Sequence, residues 1–122
     1  MPDANRKQRI LVVDDHPSIV RFVQIGLEMR DFDVVTAGSG ERALELAEST
    51  RPDAIVLDVI MPDMDGFDVL SRLRENSKVP IIVISADIET RPRAMQLGAN
   101  EFVAKPFNTD QLAKRIRAML GD

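Results

Sequence analysis

This sequence predicts an α/β fold, a doubly wound parallel sheet of five strands with helices packed on both of its faces. Two observations predict it. Short apolar runs rich in Val and Ile recur five times, and amphipathic stretches with helical spacing separate them. Runs that are apolar at nearly every position suit strands covered on both faces, and βαβ alternation implies right-handed crossovers that place helices above and below the sheet.

Taken in order, the first strand is expected over Ile10–Val13 and the first helix from Pro17 to Arg30. Pro17 suits a first helical turn, and Ile19, Phe22, Val23 and Leu27 fall at the spacing of one inward face. The second strand is expected over Val34–Thr36; its helix begins after Ser39 and carries Ala43, Leu44, Leu46 and Ala47. The third strand, Ala54–Leu57, leads through the Met61-Pro62 turn to a helix that follows Gly66 and buries Phe67, Val69, Leu70 and Leu73. The fourth strand is Pro80–Ile84. Pro92 is tolerated only in a first turn, so with Thr90 as cap and Gly98 as stop the next helix spans about two turns. The fifth strand, Phe102–Ala104, precedes a helix capped at Asn108-Thr109 that buries Leu112, Ile116 and Met119 or Leu120.

The 122 residues suit one domain, over residues 9–120, behind a polar tail of residues 1–8. Apolar residues make up 44% of the chain, but Trp and Tyr are absent, so the core is aliphatic with five Phe. A formal net charge of −4 argues against nucleic acid as a direct partner. The absence of cysteine excludes disulfides and thiolate metal sites. No apolar run approaches the roughly 20 residues of a membrane span, and Met1–Gln8 lacks the apolar stretch of a signal peptide. A cytoplasmic location is therefore expected. Arg6, Lys7 and Arg9 form a small basic patch, read as a solvated tail.

In an open α/β sheet, ligands bind beyond the carboxyl ends of the strands, where strand order reverses. Those ends carry Asp14-Asp15, Asp58, Ser85 and Lys105. Three carboxylates close together repel unless a cation joins them, and oxygen-only ligation suits Mg²⁺. Lys105 and Ser85 then offer donors to an anion, and a phosphoryl group supplies the acceptor. An aspartate nucleophile flanked by a metal ion and a lysine suits in-line phosphoryl transfer.

The stretches Ile10-Leu-Val-Val-Asp-Asp-His-Pro, Val56-Leu-Asp-Val-Ile-Met-Pro-Asp-Met-Asp-Gly, Ile82-Val-Ile-Ser-Ala and Phe102-Val-Ala-Lys-Pro-Phe resemble the receiver domains of bacterial two-component response regulators. Four motifs in this order and spacing are far more specific than any one of them. The resemblance, which runs from Arg9 to Leu120, implies a flavodoxin-like (βα)5 sandwich with strand order 2-1-3-4-5. It implies that Asp58 is the phosphoacceptor, charged by the phosphohistidine of a sensor histidine kinase or a phosphotransfer protein. Asp15, Asp58 and the backbone carbonyl of Ile60 would bind Mg²⁺, with Asp14 acting mainly through water. Ser85 and Lys105 would bond the phosphoryl oxygens, Pro106 would follow a cis peptide, and Phe102 would be the aromatic switch. Such a domain catalyses only its own phosphorylation and dephosphorylation, and signals to an output domain or target protein. His16 is expected to be exposed, with no catalytic role.

The sequence departs from that family in places. Ser85 stands where Thr is commoner, and Phe102 where Tyr is. Ile60 and Asp87 lie two residues beyond Asp58 and Ser85, positions that flank the path of attacking water in this family, and apolar Ile60 cannot orient a water molecule. The last helix resembles that of OmpR/PhoB-type regulators, which dimerise through the helix 4–strand 5–helix 5 face by crossed ion pairs. Glu101 and Arg115 match one pair; Arg91 matches half of another, whose acid is replaced by Gln111. The expectation is a monomer at rest and a weak homodimer when phosphorylated.

Rival readings fare worse. A haloacid-dehalogenase-like phosphatase needs a D-x-D pattern after the first strand, and a flavodoxin-like electron carrier needs a Ser/Thr/Gly phosphate loop where this chain has acids. A receiver-like interaction module not regulated by phosphorylation would lack the acceptor or the lysine. A free-standing regulator and a piece of a longer chain are both compatible with the sequence.

Overall fold

The computed structural model describes residues 7–62 and 65–121. Most of the polar tail and the Asp63-Met64 part of the second motif lie outside them. Five strands, β1 (Arg9–Val13), β2 (Asp33–Ala37), β3 (Ala54–Asp58), β4 (Ile81–Ser85) and β5 (Glu101–Ala104), form one sheet in the order β2-β1-β3-β4-β5. All four pairings are parallel. The helices are α1 (Pro17–Glu28), α2 (Gly40–Thr50), α3 (Gly66–Asn76), α4 (Arg91–Gln96) and α5 (Thr109–Leu120), with a 3-10 turn at Ile88–Thr90 ahead of α4.

The period of two along each strand divides the core. Leu11, Val13, Ile55, Leu57, Ile81 and Val83 face one layer with the inner sides of α2 and α3. Ile10, Val12, Val56, Ile82, Ile84 and Val103 face the other with Val23 and Leu27 of α1 and Leu112 and Ile116 of α5. β1, β3 and β4 are covered on both sides, which is why nearly every residue in them is apolar and buried. Such a sheet is rigid, and its carboxyl ends are fixed points.

The predicted elements are present with shifted bounds. α1 ends at Glu28, not Arg30, and β4 begins at Ile81, because Pro80 has no N–H to give a ladder. Phe22 is not a core residue: its side chain stands 53% exposed, with Ile25 and Met29 exposed beside it, while Val23, Gly26 and Leu27 turn inward. The helix is wetted on a face that carries apolar residues, so periodicity alone misassigned it. Thr90 does not cap α4 with its side chain. Asp87 instead caps the preceding 3-10 turn, accepting the Glu89 N–H at 2.9 Å. Ser39 and Asn108 cap α2 and α5 as their positions suggested, accepting from the N–H groups of Arg42 and Gln111.

Gly66 is required by a close approach. A Cβ there would lie 2.2 Å from the Val59 Cα. The N-terminus of α3 thus presses directly on Val59, the residue just beyond Asp58.

Candidate functional site

The reversal of strand order lies between β1 and β3, and the carboxyl ends there carry the acids. Asp14 follows β1 and is tied to β2 by its N–H on the Ala37 carbonyl (3.2 Å). Asp58 is the last residue of β3, beside Ile84 of β4. Ser85 pairs with Ala104, and its carbonyl accepts the Lys105 N–H at 2.8 Å. Asp14, Asp58 and Ser85 are the buried polar residues of the described chain.

The structure brings Asp14, Asp15, Asp58 and Lys105 together. Lys105 Nζ donates to Asp14 Oδ2 at 2.9 Å and to Asp58 Oδ2 at 3.2 Å. The peptide bond between Lys105 and Pro106 is cis. Asp58 Oδ1 accepts the Ile60 N–H at 2.9 Å, and Asp14 Oδ1 accepts the His16 N–H at 3.0 Å. The lysine thus already has two carboxylate partners. Ser85 also has partners: its hydroxyl donates to the Asp87 carbonyl at 3.3 Å and accepts the Asp87 N–H at 3.0 Å. Phe102 is half-buried at the outer strand, against the layer of α2 and α3. Ile60 stands half-exposed at the mouth.

The two carboxylates that share the lysine titrate apart. Burial pushes the Asp58 carboxyl above its ordinary value, and the neighbouring Asp14 charge adds to it, against the Ile60 N–H and Lys105. Asp14 is buried too, but the His16 N–H and the closer Lys105 contact overcome that and hold its carboxyl below the ordinary range. Burial would lower Lys105; hydrogen bonding to Asp14 and the charges of both acids raise it instead.

His16 was read as idle, yet it touches the site. Its Nδ1 lies 3.0 Å from Asp14 Oδ1 and 3.1 Å from Asp15 Oδ1, and bonding to Asp14 with the charge of Asp15 raises its pKa. The available signal was its place directly after Asp14-Asp15, at the N-cap of α1. Its ring remains largely exposed.

This donor set fits a divalent ion. Ligand atoms of Asp14, Asp15, His16 and Asp58 all lie within 4.8 Å of one another. Three carboxylates against one ammonium leave two negative charges. Asp15 Oδ1 is buried without a hydrogen bond, the imidazole nearby being out of alignment. A buried carboxylate oxygen with no donor is costly unless a cation satisfies it.

A sequence model of the response regulator receiver domain matches residues 10–117. The chain is 42% identical over 120 residues to the "Probable transcriptional regulator ycf27" of Guillardia theta, covering 97% of this chain and 47% of that protein. It is 41% identical over 116 residues to the "Alkaline phosphatase synthesis transcriptional regulatory protein PhoP" of Bacillus subtilis, covering 93% and 48%. The chain thus spans about half the length of the curated relatives it matches. Among solved structures, a putative response regulator from Chloroflexus aurantiacus superposes with a TM-score of 0.90 at 30% identity, covering 96% of this chain and all 100% of that one. The chemotaxis response regulator CheY4 of Vibrio cholerae gives 0.87 at 32%, covering 93% and 99%. Among the described residues no helix is long and apolar enough to cross a membrane.

The electrostatics of the site carry a stability prediction. A carboxyl raised by burial costs stability as pH rises from its ordinary value through its raised one, and the full cost is present above that. In metal-free buffer at neutral pH, Asp58→Asn should therefore melt a few degrees above wild type by circular dichroism, the gap closing as the pH falls below the carboxylate range. A lower melting point for Asp58→Asn would mean that its contact with Lys105 outweighs the burial cost.

Proposed function

The chain belongs to the response regulator receiver domain family, and on that premise we propose that Asp58 accepts a phosphoryl group from a phosphohistidine donor and that the added charge resets the α4–β5–α5 surface. The observation that carries this reading is the buried Asp58 carboxylate, bonded to Lys105 and set beside the unsatisfied oxygen of Asp15. An Asp58 oxygen attacks phosphorus, an O–P bond forms as the P–N bond breaks, and the electron pair leaves on the donor imidazole. Lys105, already 3.2 Å from Asp58, turns to an oxygen of the arriving group. Asp15, Asp58 and the Ile60 carbonyl would hold Mg²⁺, with Asp14 reaching it through water; the ion, when bound, offsets charge on the transferring oxygens. No external substrate is turned over, and the output is a changed surface. Relatives about twice this length bear the names of transcriptional regulators, which supports an output domain or target protein as the recipient of that change.

With Mg²⁺ and acetyl phosphate, intact-mass measurement should record one added phosphoryl group on wild type and none on Asp58→Asn. An unmodified wild type ends this reading.

Loss of the group by hydrolysis should be slow. Ile60 offers water no hydrogen bond at the mouth, and the Asp87 carboxylate is engaged as the cap of the 3-10 turn. Ile60→Asn should shorten the lifetime of the phosphorylated form several-fold; equal rates would remove Ile60 from the account.

Self-association is expected to be weak. The Arg115 guanidinium already bonds Glu101 of its own chain at 2.7 Å, so a crossed pair between two copies only exchanges partners. Exposed pairs of this kind are worth about 0–1 kcal/mol. Arg91 has no ion-pair partner among the described residues. Light scattering should find a monomer at rest and a weak dimer with beryllofluoride; an unchanged mass at high concentration would exclude the dimer.

A further inference from the structure

His16 is the only histidine of the chain, and it stands between the two acids that follow β1 and the first turn of α1. Its backbone is fixed from both sides. Pro17, at the first helical position, keeps the residue before it out of the helical region, here at φ −93° and ψ 107°. The His16 N–H is held by Asp14 Oδ1 at 3.0 Å. The side chain makes no capping bond to α1, so it serves the helix in no visible way.

Its Nδ1 lies against carboxylate oxygens of two different residues, Asp14 Oδ1 at 3.0 Å and Asp15 Oδ1 at 3.1 Å. An Nδ1–H can donate to Asp14 Oδ1, which the backbone N–H already serves, but Asp15 Oδ1 then stays buried with no donor. A hydrogen bond therefore explains one contact and leaves the needier oxygen unsatisfied. Shared ligation of a cation explains both. Octahedral ligands about 2.1 Å from an ion lie about 3.0 Å apart along an edge, which is the spacing of Nδ1 from each oxygen. The ring is largely exposed, so Nε2 can carry the proton toward water while Nδ1 offers its lone pair.

A neutral imidazole changes what the site prefers without changing its charge. Carboxylates and carbonyls suit Mg²⁺, whereas imidazole suits first-row transition ions. We propose that His16 Nδ1 is a ligand of the divalent ion at this site and biases it toward a transition ion over Mg²⁺. The inference rests on the divalent site of the proposed function and adds one ligand and a preference among ions.

Co²⁺ is the probe, added to the untagged full chain at neutral pH without a phosphodonor. Proton NMR should show imidazole ring protons shifted far outside their normal range by the paramagnetic ion, and with one histidine in the chain they can come only from His16. Asp15→Asn should abolish them. Binding titrations supply the second arm. Removing even a group that supports a ligand costs about 10–100-fold in metal affinity, so His16→Gln should weaken Co²⁺ by about tenfold or more and Mg²⁺ by no more than about twofold. Bound Co²⁺ without shifted ring protons would overturn the ligand, as would shifted protons that persist in Asp15→Asn, which mark a surface histidine alone. Equal losses for the two ions in His16→Gln, or no loss for Co²⁺, would overturn the preference. The wild-type spectrum decides the ligand whatever the variants do to folding. If neither ion binds, the divalent site of the proposed function fails as well; bound Mg²⁺ with no imidazole signal sinks this inference alone.

Discussion

An ammonium group shared by two buried carboxylates is the contact on which the site is built. Lys105 leaves β5, and two strand spacings, about 10 Å, separate β5 from β3. Only a long side chain reaches Asp58 across that gap, and it must pass the end of β4. A small residue is needed there, and Ser85 is fully buried at that point. Without the ammonium, Asp14 and Asp58 would both be buried acids facing a third, and burial alone already raises Asp58. Charge at this edge therefore dictates the residues on four strands, while the all-apolar strands behind it supply the rigidity that keeps the acids from moving apart.

Much of this was legible in the residues. Short, nearly continuous apolar runs and the amphipathic stretches between them located all five strands and helices. The rule that ligands sit beyond the carboxyl ends then picked out Asp14, Asp15, Asp58, Ser85 and Lys105 with no structure in hand. What could not be read was contact between elements distant in the chain. Phe22 satisfies the helical spacing but falls just outside the face that α1 buries, and spacing cannot say how wide that face is. Thr90 is a good cap by type; Asp87 does the work because the 3-10 turn begins earlier than the helical pattern. The pairing of Glu101 with Arg115 inside one chain depends on how β5 and α5 pack, and a match to an intermolecular pair gave no warning of it. Arg74 of α3, which donates to the carbonyls of Gly98 and Val79 and to Asn100 Oδ1, has no sequence signal at all, since its partners are mostly backbone carbonyls whose positions only the fold supplies.

Rigidity is distributed unevenly, and that follows from burial. β1, β3 and β4 have both faces covered, and no residue from Ala54 to Val59 is exposed. The 3-10 turn and α4 bury little beyond Ala94. A local opening costs least where few apolar contacts are lost, so the compliant part of the molecule is the segment next to Ser85.

The strengths of the two donors at the site order the events of a switch. Lys105 is held by charge-assisted bonds to two acids, and a new anion on Asp58 gives it a third candidate without taking it far from where it already lies. Ser85 is held by two neutral bonds, donating at 3.3 Å to an Asp87 carbonyl that has other donors and accepting the Asp87 N–H at 3.0 Å. A phosphoryl group adds about −1.5 to −2 charges in a largely buried pocket. The lysine can answer that charge by a small shift, but the hydroxyl must turn to reach it, and turning would undo the hydrogen bonds that tie the Ser85 side chain to Asp87, the capping residue of the 3-10 turn. Under the proposed function a strongly held cation and a weakly held hydroxyl would divide the labour. One would keep the chemistry in register while the other would convert arriving charge into motion, and exchanging their bond strengths would leave a site that binds but does not signal.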